Sequence, residues 1–258
     1  MMGIKKIGTL AALALMAGLF PGCSYEAKDH ASEPTNQALA IAKAETLPET
    51  MPAVQSPSVA SPDSARAEVL ETEDDSIRAI GTAPGGRLLV QPASKATVVP
   101  LGAPSCYGQA EDLKWQGDYE VVWEPDDGGD NVDVLAFPAD AAIIQPSEEP
   151  VEMWSFVLDG TDILSYVPRY ADCHGTETYF FGVEDGQAFS IPIVMSPDLT
   201  VTNIGQDANR LFHVEDGEII LQGGYAAGNN TYEVYHLRYE SGNRQLTVVN
   251  TEIVDLSQ

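Results

Sequence analysis

The segments Val157-Leu-Asp-Gly160, Val183-Glu-Asp-Gly186 and Val214-Glu-Asp-Gly217 constrain this chain more than anything else in it. Each closes one short apolar run and opens another. Asp-Gly supplies the two consecutive left-handed residues that a two-residue hairpin turn needs, so each segment marks a pair of antiparallel strands. The last two extend to Phe181-Gly-Val-Glu-Asp-Gly186 and Phe212-His-Val-Glu-Asp-Gly217, a faint internal repeat. Around them lie DYEVVWEP, NVDVLAFP, TDILSYVP, ETYFFGVEDG, TYEVYHLRY and QLTVVNTEIVDL, runs rich in Val, Ile, Phe, Tyr and Trp. No stretch after residue 100 carries helical periodicity. The chain reads as all-β: a β-sandwich or partly open barrel built of short antiparallel hairpins. A small propeller-like array is the alternative, although a propeller needs at least four blades of about 40 residues each.

Residues 98–258 hold all three tryptophans and form the predicted acidic all-β domain. Residues 23–97 differ. Pro, Ser, Thr, Ala and Glu dominate there, and aromatics vanish between Tyr25 and Tyr107. Such a composition buries too little apolar surface to offset the entropy of ordering it, which predicts a mostly disordered tether. Short strands are expected within 77–99, with Gly85–Gly86 as a turn between Ile77–Ile80 and Arg87–Val90.

At the N-terminus Lys5 and Lys6 precede an apolar run from Ile7 to Phe20, followed by Gly22–Cys23. The run is too short to span a bilayer and has the layout of a secretory signal. Residues 1–23 resemble a bacterial lipoprotein signal peptide, with cleavage before Cys23. The resemblance implies lipidation of Cys23 and attachment to a lipid bilayer through an N-terminal lipid anchor. It places the protein on the extracytoplasmic side of a bacterial membrane. With Cys23 so assigned, an oxidising compartment predicts a disulfide between Cys106 and Cys173.

Candidate chemistry is sparse. Glu124-Pro-Asp-Asp-Gly-Gly-Asp-Asn-Val-Asp133 places five carboxylates between two strands, and Asp126, Asp130 and Asp133 are the candidate ligands of a Ca²⁺ ion. The order is not that of an EF-hand, and a solvated acidic hairpin is the competing reading. Glu152 beside Trp154, or Glu177 near Tyr179, could serve a glycosidase, which needs two carboxyl groups facing each other in one cleft. The chain holds no G-x-S-x-G elbow, and its histidines form no zinc pattern.

From Val98 onward 28 acidic side chains stand against five basic ones, Lys114, Arg169, Arg210, Arg238 and Arg244. That surplus repels phosphate backbones and excludes nucleic acid as a partner. No catalytic set emerges. The expected function is a non-catalytic exported lipoprotein that presents a β-rich domain at the cell envelope. Its role is ligand or protein binding, with an unknown protein or carbohydrate as ligand, or an envelope-structural one. An extracytoplasmic hydrolase using paired carboxylates and a calcium-dependent sensory or adhesion domain are the alternatives.

Overall fold

The computed structural model describes residues 71–224 and 230–255; Cys23, the signal segment and most of the expected tether lie outside them. The described residues form strands joined by turns, with no helix. In chain order these are β1 (Thr72–Asp74), β2 (Ala79–Ala83), β3 (Gly86–Pro92), β4 (Ala96–Pro100) and β5 (Leu113–Gln116). Next come β6 (Tyr119–Pro125), β7 (Val132–Ala136), β8 (Ala142–Gln145), β9 (Val151–Glu152) and β10 (Trp154–Leu158). Then follow β11 (Thr161–Tyr166), β12 (Thr176–Glu184), β13 (Gln187–Ser190), β14 (Ile193–Ser196) and β15 (Leu199–Val201). The last five are β16 (Ile204–Gln206), β17 (His213–Glu215), β18 (Glu218–Gln222), β19 (Thr231–Glu240) and β20 (Gln245–Asp255).

They assemble into four sheets that do not close into a barrel. The first has the order β1-β4-β5-β8 and the second β7-β6-β3-β2-β9. The third runs β10-β11-β12-β13, with β16 paired to the first part of β12, and the fourth runs β15-β14-β20-β19-β18-β17. Pairing is antiparallel except for β2 with β9 and β14 with β20.

Two hydrophobic cores share the third sheet as a common wall. Leu164, Tyr166, Tyr179, Phe181 and Val183 join the first core, with Leu88, Val90, Trp115, Trp123 and Ile143 from the first two sheets. Ile163, Phe180 and Leu158 join the second, with Ile219, Leu221, Leu237 and Leu246 from the fourth. Successive strand residues point to opposite faces, so a strand covered on both sides needs apolar residues at consecutive positions. That explains why DILSY and TYFFGV do not alternate, whereas the long outer hairpin β19–β20 does over part of its length.

The hairpin turns follow from the backbone. Asp159, Asp185 and Asp216 have φ of 48°, 51° and 50°, and the glycines after them 80°, 74° and 79°. Both turn positions are therefore left-handed, the arrangement that matches the twist of the flanking strands.

The folded body reaches further back than residue 98. Leu88, Leu89, Val90 and Ala79 are buried, and β2, β3 and β4 are integral to the sheets. The turn between β2 and β3 is Pro84-Gly85 rather than Gly85–Gly86, since Gly86 pairs with Ala83 as the first residue of β3. Averaged over 23–97, the polar composition hides one Leu-Leu-Val run that is sufficient to enter the core.

Glu184 clamps the third sheet to the fourth. It accepts hydrogen bonds from Thr161 Oγ1 at 2.8 Å, Tyr239 Oη at 3.1 Å and Arg244 Nε at 2.9 Å. Arg244, at φ 52°, also lies over the Phe189 ring at 4.4 Å. Burial on its own would raise the Glu184 pKa, but the three donors and the Arg244 charge outweigh it and hold the carboxyl below its ordinary 4.5. A carboxylate depressed on folding adds stability above its unfolded pKa and loses it as pH falls through the folded value. Urea midpoints of the wild type should therefore drop below about pH 4.5 more steeply than those of Glu184→Gln. Identical acid limbs for the two proteins would remove Glu184 from this role.

Candidate functional site

The third sheet carries a polar end on the face it turns to the second core. Trp154 pairs with Ser165, and Ser165 with Phe180, so these three side chains share that face. Further along β12, Thr176 pairs with Gln206 and Thr178 with Ile204. Here the aliphatic packing gives way to hydroxyl and amide groups, and a cleft of about 550 Å³ opens, within the range of small-molecule sites.

One wall is aromatic. Trp154 stacks on Phe212 with ring centroids 4.5 Å apart, and Phe212 rests edge-on against Phe180 at 5.3 Å and Phe156 at 5.6 Å. Phe212 is buried, while Trp154 keeps 44% of its surface exposed at the cleft. The opposite side is polar. Gln206, only 1% exposed, lines the cleft, and its Oε1 has no hydrogen-bond partner. A buried acceptor left unpaired costs about 1–3 kcal/mol; the amide that an occupant of the cleft reaches is that of Asn209, which is exposed at its rim.

The segment after β16 is held by one buried carboxylate. Asp207 Oδ1 accepts from the Asn209 backbone N–H at 2.9 Å, and Oδ2 from Gln222 Nε2 at 2.9 Å. The Arg210 N–H donates to the Asp207 carbonyl at 3.1 Å. This compact turn sets Asn209, Leu211 and Phe212 along the cleft.

The remaining rim, Val167 to Thr176, is fastened from outside. Cys173 is joined to Cys106 by a disulfide with Cα atoms 5.1 Å apart. Tyr170 donates its hydroxyl to Asp112; that bond, then burial and the Asp112 charge, push the Tyr170 phenol above its ordinary pKa. Arg169 pairs with Asp172 at 3.3 Å and Glu177 at 3.8 Å and lies over the Tyr107 ring. Gly175 has φ 131° and sits so close to the Gln206 carbonyl that a Cβ would come within 2.8 Å, which makes glycine a requirement there.

Sequence-derived candidates are distributed unevenly over this geometry. Glu152 and Trp154 both line the cleft. Tyr179 is buried in the first core, and Glu177 is engaged by Arg169. Trp115 and Trp123 are fully buried. Asp126, Asp130 and Asp133 are exposed, and no group of three or more carboxylate, histidine or cysteine side chains among the described residues is placed to hold a metal ion. Asp127 instead caps its own turn by accepting from the Gly129 N–H at 2.9 Å. Gln206, Asn209 and Phe212 were not among the candidates; the one sequence signal for them is the Leu211-Phe212 pair directly after the polar Asp-Ala-Asn-Arg turn.

No protein-family model, curated protein or solved structure matches this chain.

Proposed function

We propose that this chain is a non-catalytic exported lipoprotein whose β-rich domain binds a neutral carbohydrate at the Trp154 cleft. The observation that carries the reading is the pairing of the exposed Trp154 ring with the exposed Asn209 amide in one cavity. The C–H face of a sugar ring packs on an indole or phenol ring. A primary amide such as that of Asn209 presents a donor and an acceptor to neighbouring hydroxyls. No lysine or arginine is among the described lining residues, so an anionic ligand finds no countercharge. Glu152 is the one carboxylate among them, which favours binding over paired-carboxylate hydrolysis.

The lipid anchor is supported by the signal-like N-terminus and its Gly22–Cys23 box. Two measurements on the full-length protein test the two halves of the reading. In a bacterial host, the wild type should be recovered with membranes and Cys23→Ser in the soluble fraction; equal fractionation would remove the anchor. Tryptophan fluorescence titrations with glucose hexamers, α- or β-1,4-linked, and with the β-1,4 N-acetylglucosamine hexamer should show saturable binding to at least one. Trp154→Ala should weaken that binding about thirtyfold, as for a central aromatic contact worth about 2 kcal/mol. Absence of binding to all three would sink the carbohydrate half.

A further inference from the structure

We infer that the ligand is a linear neutral oligosaccharide that crosses Leu211 and occupies a second basin on the outer face of the fourth sheet. The inference rests on the carbohydrate reading of the Trp154 cleft and adds chain length and direction to it.

Leu211 lines the Trp154 cleft and also a neighbouring groove of about 430 Å³. It is 72% exposed, a large apolar side chain standing between two concavities. Strand register assembles the second basin. His213 pairs with Ile220, and Gln222 with Val234, so these side chains share one face of the sheet, opposite Ile219, Leu221 and Leu237 in the second core. Tyr232 lies two residues before Val234 on the same face and lines the groove with them.

The two basins repeat one chemical pairing. The first combines Trp154 with the amides of Gln206 and Asn209, and the second combines Tyr232 with the amide of Gln222 and adds Arg210 and His213 as further hydrogen-bonding groups. One residue holds them in step: Asp207 accepts from both Asn209 in the first basin and Gln222 in the second. A repeated aromatic-plus-amide pattern along a continuous path fits a ligand that itself repeats. Linking two weak sites through one chain makes the second contact intramolecular, so affinity rises with length once both are reached.

The test is a titration of wild-type, Tyr232→Ala and Val234→Glu full-length proteins with each of the three series at one to six sugar units. In the wild type, affinity should climb about tenfold or more between the shortest binding oligomer and the longest. Both variants should keep the short-oligomer affinity and lose the climb. Val234→Glu guards against misfolding in Tyr232→Ala, and unchanged short-oligomer binding shows that the first basin is intact. Equal affinity at every length, or a climb that survives both variants, overturns the inference and leaves the carbohydrate reading standing. Absence of binding at every length overturns both.

Discussion

Replacing Phe180 by alanine should lower the unfolding free energy by about 3–5 kcal/mol, the cost of deleting a fully buried phenyl ring from a core that cannot collapse. Phe180 has no exposed surface and stands on β12 with neighbours on both sides in the sheet. Its backbone cannot move into the void, because Tyr179 and Phe181 fasten the same strand to the first core. The ring also supports Phe212, on which Trp154 stacks. The substitution should therefore change the near-ultraviolet circular dichroism of Trp154 as well as the urea midpoint. Phe156→Ala, at a half-buried position on the edge strand β10, should cost less. A loss under about 1 kcal/mol with unchanged tryptophan signals would mean that the second core yields freely around the site.

Opening the disulfide should cost a comparable amount by a different route. Cys106 and Cys173 close a loop spanning 67 residues, and the loop-entropy relation assigns such a crosslink about 4 kcal/mol. The effect lies mainly in the unfolded chain, which gains freedom when the link is absent. In the folded state Tyr170 still reaches Asp112, and Arg169 still lies over Tyr107. Cys106→Ser/Cys173→Ser should accordingly keep its sheets, melt at lower temperature, and respond to a reductant no further. Thermal melts of wild type with and without reductant, beside the double variant, check this. A double variant within about 1 kcal/mol of wild type would show that those polar contacts hold the rim unaided.

What was legible in the sequence was what is decided locally. The three Asp-Gly turns need two adjacent left-handed residues, and few other dipeptides supply them, so each could be placed to the residue. Continuous apolar runs at DILSY and TYFFGV already imply strands covered on both faces. Leu88, Leu89 and Val90 enter the core although they lie in a window dominated by proline, alanine and acidic residues, whose average composition masks a short apolar run. The 124–133 loop shows the limit of composition: carboxylates close in sequence are not thereby convergent, and here they are exposed along an outer hairpin. The cleft was least visible. Trp154 meets Phe212, and shares a cleft with Gln206, through packing across β10, β11, β12 and β16, a relation that no short window records.

The shared third sheet carries a further consequence. A partition common to two compartments cannot be withdrawn from one without unroofing the other. Breathing should therefore be confined to outer strands such as β15 and β17, while β11 and β12 exchange their amide protons only when the whole body opens. Such all-or-none behaviour leaves few partly open forms for a protease to cut.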